Sequence, residues 1–259
     1  VPHVARFSIA PVRGLGLEHP DEIDLTETGV VEDRRFHVVD ANGRQTDGLT
    51  VGRLATVHAH TDRDATMLRL GFPDGTVAED EIRLGAPVET PIYGRTAVGH
   101  FMDGPWDAAL SAYIGRTVRI VRCDRPGGTR RGNYVSLLSD GSLDRLGQQL
   151  GVGAVDARRF RMLIEVAGAE AHEEDGWIGH RIGIGDAVIR VTKPDARCAI
   201  TTQDPDTGLR DLDTLRAIIA YRGLRDGTEA DFGVLGDVDR PGRVRLGDEV
   251  RVLPDAAAG

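Results

Sequence analysis

The chain has 259 residues, of which 40% are hydrophobic and only 5% aromatic, and its 33 glycines and 12 prolines imply many short elements joined by turns. A formal charge of -9 argues against a surface that tracks nucleic-acid phosphates or is drawn to anionic lipid. Two cysteines without CxxC spacing exclude a disulfide framework. There is no signal-peptide pattern in VPHVARFSIAPVRG and no apolar run of about 20 residues, so a soluble, cytoplasmic protein that meets neither membrane nor nucleic acid is expected.

The first hundred residues read as short strands punctuated by turns: Val4 to Ala10, Ile23 to Leu25, Arg35 to Val39 ending at Asn42-Gly43, Ala55 to His60, and Met67 to Leu70. The run Phe101 to Tyr113 breaks this rhythm with Gly104-Pro105 and an apolar helical pattern. We place a boundary there, giving a small N-terminal β-domain at 1–105 and a second domain at 106–259. Alternation in Thr117 to Cys123 predicts a strand. Leu143, Leu146 and Leu150 predict a short helix, with Ser142 as its cap and Gly151 as its stop. Strands follow at Phe160 to Val166, His180 to Ile184 and Ala187 to Thr192, the last ending at Lys193-Pro194. After the turn formers Asp204 to Gly208, Leu212, Leu215, Ile218 and Ile219 predict a helix capped by Asp211. Val244, Leu246, Val250 and Val252 give a closing strand pair, and Pro254 to Gly259 reads as a frayed tail. The fold class expected is mainly β, with a few short helices.

Cys198 stands on a loop just past a strand, directly after Arg197. A neighbouring guanidinium favours thiolate, the form of sulfur that binds metal or attacks sulfur, although a buried structural cysteine fits the same local pattern. Cys123 lies in a strand among apolar alternates and reads as packing, as do Trp106 and Trp177. The segment Gly127 to Asn133 carries Arg130 and Arg131 between glycines, suiting either a plain connecting loop or an anion-binding nest. His172-Glu173-Glu174-Asp175 lacks metal-ligand spacing and is expected to be a solvated acidic turn. Basic residues other than Lys193 are all arginine, which reflects either coding bias or bidentate anion recognition.

The run Ala196 to Gly208, ARCAITTQDPDTG, resembles the cysteine loop of MOSC domains, the molybdenum cofactor sulfurase C-terminal family. Arg159-Phe160-Arg161, Glu174 to Trp177, Arg181 to Gly183 and Gly242 to Asp248 resemble further motifs of that family, in order. In the first half, Pro11 to Gly14 and Glu32 to Asp40 are similar to the N-terminal MOSC-like β-barrel of its two-domain amidoxime-reducing branch. The resemblance implies a MOSC β-barrel and a molybdenum-pterin cofactor. It implies Cys198 as catalytic residue and metal ligand, and Arg13, Arg34, Arg161 and Arg197 around the cofactor. It further implies a small-molecule substrate and a separate electron-transfer or sulfur-donor protein.

Three positions depart from the family pattern: Gly14 and Ala196 replace hydroxyl residues, and Leu163 stands where a polar residue is usual. Asp195 adds a negative charge beside the expected phosphate site. An altered polar pocket is therefore expected, and three functions stay open. The first is reduction of N-hydroxylated or related substrates on molybdenum. The second is molybdenum-independent sulfur transfer or C–S bond chemistry through Cys198. The third is a non-enzymatic binding module, which requires Cys198 to be buried and to face no arginine.

Overall fold

The computed structural model describes residues 1–130 and 132–254, and it is mainly β with three α-helices. The first half holds β1 (His3–Phe7), β2 (Val12–Arg13), β3 (Glu22–Leu25), β4 (Phe36–Asp40), β5 (Gln45–Thr46), β6 (His58–Thr61) and β7 (Met67–Gly71). It continues through β8 (Val77–Glu81), β9 (Arg83–Ile92), β10 (Arg95–Asp103), α1 (Trp106–Ile114) and β11 (Val118–Cys123). Then come β12 (Val135–Ser139), α2 (Asp140–Leu150), β13 (Ile164–Ala167), β14 (Arg181–Ile184) and β15 (Ala187–Arg197). The chain closes with α3 (Thr214–Arg222), β16 (Ala230–Arg240), β17 (Gly242–Arg245) and β18 (Val250–Leu253).

Two large sheets carry the fold. One has the strand order β1-β13-β12-β16-β15-β14-β18, and its core gathers Phe7, Leu137, Ile164, Ile182, Ile189 and Val234. The other runs β2-β4-β11-β10-β9 with β5 on β4, and its core includes Phe36, Leu54, Leu68, Trp106, Leu110 and Ile120. Pairing is antiparallel except at β12–β13 and β2–β4. The smaller three-stranded sheet β6-β7-β8 packs Leu68 and Leu70 into the second core.

The change of core does not fall at 105/106. Trp106 and Leu110 of α1 are fully buried in the second core, and β11 pairs with β4 and β10. In the other direction β1 pairs with β13 and β3 with β17. An apolar helix face must be buried against the nearest available sheet. For α1 that sheet is the one holding β4 and β10, so the second core ends at β11, and near its start the chain passes from the first core to the second at β2, back at β3 and again to the second at β4.

Several other expectations shift. The strand expected over Ala55 to His60 begins as a 3₁₀ turn at Gly52–Thr56, and that over Phe160 to Val166 begins as another at Ala157–Phe160. The helix α2 is capped by Ser139, whose Oγ accepts from the Ser142 amide, so Ser142 lies inside the helix. The helix α3 starts at Thr214, and Asp211 pairs with Arg159. The long β9–β10 hairpin and β16 carry no expectation from the sequence, and residues 255–259 of the expected tail lie outside those described. Nor is the acidic turn wholly solvated. Glu174 is buried, and the hydroxyls of Ser139 and Ser142 each donate to its carboxylate at 2.7 Å. Burial pushes the Glu174 carboxyl up, against the pull of those hydroxyls.

No helix among the described residues is long and apolar enough to cross a membrane. Trp106 is the largest fully buried side chain, and its indole N–H donates to the Leu68 carbonyl at 2.8 Å. Trp106→Ala is expected to lower unfolding stability by about 3–5 kcal/mol, measured as a fall in the urea midpoint.

Candidate functional site

A pocket of about 400 Å³ opens in the seam between the two large sheets. Arg13, Arg34, Arg161, Arg197 and Cys198, the five residues singled out from the sequence, all line it. Each arrives by a different local device. Arg13 ends β2, which pairs in parallel with β4 and places Arg13 opposite His37. Arg34 and Arg161 sit in tight turns ahead of β4 and β13, both at φ 54, a left-handed conformation uncommon for a residue with a β-carbon. Cys198 directly follows β15 and is exposed.

The local form of β15 explains how Cys198 and its neighbours reach one wall. Sequence reading ends this strand near Lys193-Pro194, because proline cannot donate to a ladder. Instead β15 runs on to Arg197, paired with β16 through register shifts at Val188/Ile189, Val191/Lys193 and Pro194/Ala196. Regular alternation would send every second side chain to the opposite face. The bulges re-aim the strand, so that Asp195, Ala196, Arg197 and Cys198 all border the pocket.

Charge dominates the cavity. Seven cationic side chains line it, among them Arg95, Arg130 and Lys193, against two carboxylates, Asp47 and Asp195. Behind the wall, Asp33 is buried, accepts the Ala10 amide at 2.8 Å, and pairs with both Arg34 and Arg130, the latter at 3.3 Å. Burial alone would raise the Asp33 carboxyl, but Arg34 and Arg130 together hold it below the usual carboxylate range. Arg34 also donates to the Arg161 carbonyl at 3.2 Å, and Arg161 to the Leu15 carbonyl at 2.6 Å. Burial first, and then the charge of Arg34, pushes Arg161 down to about 9 and Arg130 down to about 10. Both remain cations at neutral pH.

Arg197 is engaged within the wall. Its guanidinium pairs with Asp195 and donates to the Phe160 carbonyl, and it lies 5.4 Å from the centre of the Phe160 ring. This pairing also accounts for Asp195, whose charge is matched within the wall. The three altered positions separate in the same way. Gly14 has φ 93, and a Cβ there would come within 3.2 Å of the Asp47 backbone, so glycine meets a backbone requirement. Leu163 is buried in the core of the first sheet and is absent from the pocket lining. Its amide donates to Ser136 Oγ at 2.9 Å, and Ser136 is the polar residue on the wall. Gly14 and Ala196 both line the pocket without a polar side chain, and a backbone requirement accounts for the first alone.

Sequence reasoning missed Asp33, Tyr93, Arg95 and Lys193. Arg130 was visible only as one half of an arginine pair, and Arg131 lies outside the described residues. Tyr93 forms the tip of the β9–β10 hairpin, donates to Asp47 at 2.9 Å, and carries the Arg13 guanidinium 5.3 Å from its ring centre. No local motif marks Tyr93, Arg95 or Lys193, which strand pairing brings in from far along the chain, and Asp33, inside the Glu32 to Asp40 stretch, shows its role only through its pairing with Arg130.

No cluster of histidine, cysteine and acidic residues among those described could hold a metal without an added ligand. Cys198 Sγ has no hydrogen-bond or ion-pair partner among the described residues. Cys123, in contrast, is fully buried 3.5 Å from His37 Nδ1, and burial pushes its thiol up to about 12. Iodoacetamide at pH 8 should therefore place one adduct on the folded chain, at Cys198, and a second at Cys123 only in denaturant. Intact-mass and peptide analysis reads this out, and native labelling of Cys123 would contradict the assignment.

Residues 124–251 match the profile of the MOSC domain family. The chain is 33% identical over 124 residues to the mitochondrial amidoxime-reducing component 1 of Mus musculus, covering 45% of this chain and 36% of that protein. It is 38% identical over 102 residues to the mitochondrial amidoxime reducing component 2 of Homo sapiens, covering 35% of this chain and 29% of that protein. The matched stretch thus spans only about a third of the length of these curated relatives. Among solved structures, the YuaD protein from Bacillus subtilis aligns over 97% of this chain and 94% of its own, at 13% identity and a TM-score of 0.46. YiiM from Geobacillus stearothermophilus aligns over 68% of this chain and 75% of its own, at 14% identity and a TM-score of 0.36. Residues 124–251 of the chain form a MOSC domain.

Proposed function

We propose that this chain holds a molybdenum-pterin cofactor, with Cys198 as the metal's protein ligand, and reduces N-hydroxylated or related small molecules. The observation that carries this reading is the meeting of an exposed, unpartnered thiol with Arg13, Arg34 and Arg161 in one cavity. The donor set fits the group. A thiolate suits a soft metal ion, and arginine forks suit a phosphate. The buried Nε atom of Arg197 has no partner among the described residues, leaving a donor spare on the wall.

When bound, the cofactor supplies two-electron redox chemistry at its metal ion. The chain supplies placement and charge. Arg34, fixed by Asp33, and Arg161, fixed by the Leu15 carbonyl, would hold the cofactor's phosphate group. Arg13 adds a third cation from β2, and Cys198 presents its sulfur from the end of β15. In the net reaction the N–O bond breaks, two electrons and two protons are taken up, and water leaves. The electrons come from a separate redox protein. Because Cys198 is exposed and borders an arginine-lined pocket, the reading as a binding module with a buried structural cysteine loses its premise.

A second reading rests on the same free thiol: an accessible sulfur without a partner also suits a carried persulfide in sulfur transfer. Expression in a cofactor-competent host separates the two. We expect molybdenum to copurify with the chain, and Cys198→Ala to cut reduction of benzamidoxime at least about 100-fold. Absence of molybdenum, with benzamidoxime reduction unchanged in Cys198→Ala, would overturn the reductase reading. One extra sulfur atom on the Cys198 peptide by mass spectrometry would then support the second.

A further inference from the structure

The seven cations of the Cys198 pocket are unequally matched. Arg34 and Arg130 share Asp33, and Arg197 takes Asp195. Arg13, Arg95, Arg161 and Lys193 have no carboxylate within ion-pair distance among the described residues. Arg161 reaches a backbone carbonyl and Arg13 lies against Tyr93, whereas Arg95 and Lys193 have no such contact. The Nε of Arg95 is moreover buried with no hydrogen-bond partner.

These two residues reach the cavity from different sheets. Arg95 opens β10 just after the Tyr93-Gly94 tip, in the sheet that carries Arg13. Lys193 stands at a register shift of β15, beside Thr192, whose hydroxyl donates to Asn133 at 2.8 Å. Asn133 also borders the pocket. The cofactor reading accounts for Arg13, Arg34 and Arg161 and leaves Arg95 and Lys193 without a role.

Arg95 is half-buried and Lys193 exposed, and like charges that face one cavity without counter-charge repel one another, which an anion placed between them relieves. The rest of the molecule is acidic, with a formal charge of -9. The pocket lining is thus cationic in a chain whose net charge is negative. A guanidinium fork from one wall and a point-like ammonium from another suit a compact, strongly charged group such as a carboxylate.

We propose that Arg95 and Lys193 form a second anion subsite, which selects small substrates carrying a carboxylate or an equivalent anionic group. The inference rests on the reductase reading for the reaction performed, but its charge preference is a property of the pocket. The substrate class is then N-hydroxylated or similarly oxidised small acids, in place of neutral molecules.

Benzoate and benzamide, alike in size and different in charge, test the subsite by ligand-observed NMR on the purified full chain. Benzoate should bind about tenfold more tightly than benzamide. The double variant Arg95→Gln/Lys193→Gln should reduce that preference to about threefold or less, while Arg95→Lys/Lys193→Arg should keep it. Arg119→Gln, which removes a cation outside the pocket lining, should leave it unchanged. Molybdenum and phosphate content should be the same in all variants. An undiminished preference in the Gln double variant would overturn the proposal. So would a loss of bound phosphate in that variant, which would assign the two cations to the cofactor. A preserved benzoate preference in a chain that never acquires molybdenum would support the subsite while contradicting the reductase reading.

Discussion

Asp33 is the constraint on which the pocket depends. It places one carboxylate, 5% exposed, against two guanidinium groups and a backbone amide. Removing one partner of a buried ion pair leaves an uncompensated charge and typically destabilises by about 3–5 kcal/mol. This link joins three stretches of chain that differ widely in sequence position: the crossing at Ala10, the turn at Arg34 and the loop at Arg130. Arg34 in turn holds the Arg161 carbonyl, so that two left-handed turns support each other across the seam. Each such turn costs about 1–3 kcal/mol in isolation. The hydrogen bonds around them make the conformation sustainable, and they keep cations close together where solvent alone would let them separate.

The second determinant is the irregularity of β15. The strand would bring only alternate residues to the cavity if it were regular, and its successive bulges against β16 change that. Asp195 and Arg197 can then satisfy each other within the wall, while Cys198 emerges free at its end. The arrangement divides labour between adjacent residues. Arg197 pairs with Asp195 within the wall, and Cys198 leaves its sulfur exposed at the end of the strand.

Much of this was legible in the sequence where local chemistry decides the outcome. Alternation marked β11, turn signals marked β14, a strand pattern marked the closing pair β17 and β18, and the ordered motifs named Arg13, Arg34, Arg161 and Cys198, which line one cavity. The illegible parts are those decided by long-range packing. Asp33 has an ordinary place beside an arginine until Arg130 arrives, and Arg95 becomes a pocket residue only because β9 and β10 form a long hairpin. Pro194 misled in the opposite sense, since a bulge absorbs its missing donor and the strand continues. Gly14 and Leu163 looked like lost polar groups, yet one answers a backbone requirement and the other faces a core.

The account joins an electropositive recess to a single free thiol and assigns both to one ligand. Molybdenum K-edge absorption on the purified chain and on Cys198→Ser tests that union most directly, because it counts the sulfur atoms around the metal. The account predicts one sulfur neighbour fewer in Cys198→Ser than in the unmodified chain. An identical sulfur count in the two proteins would contradict it.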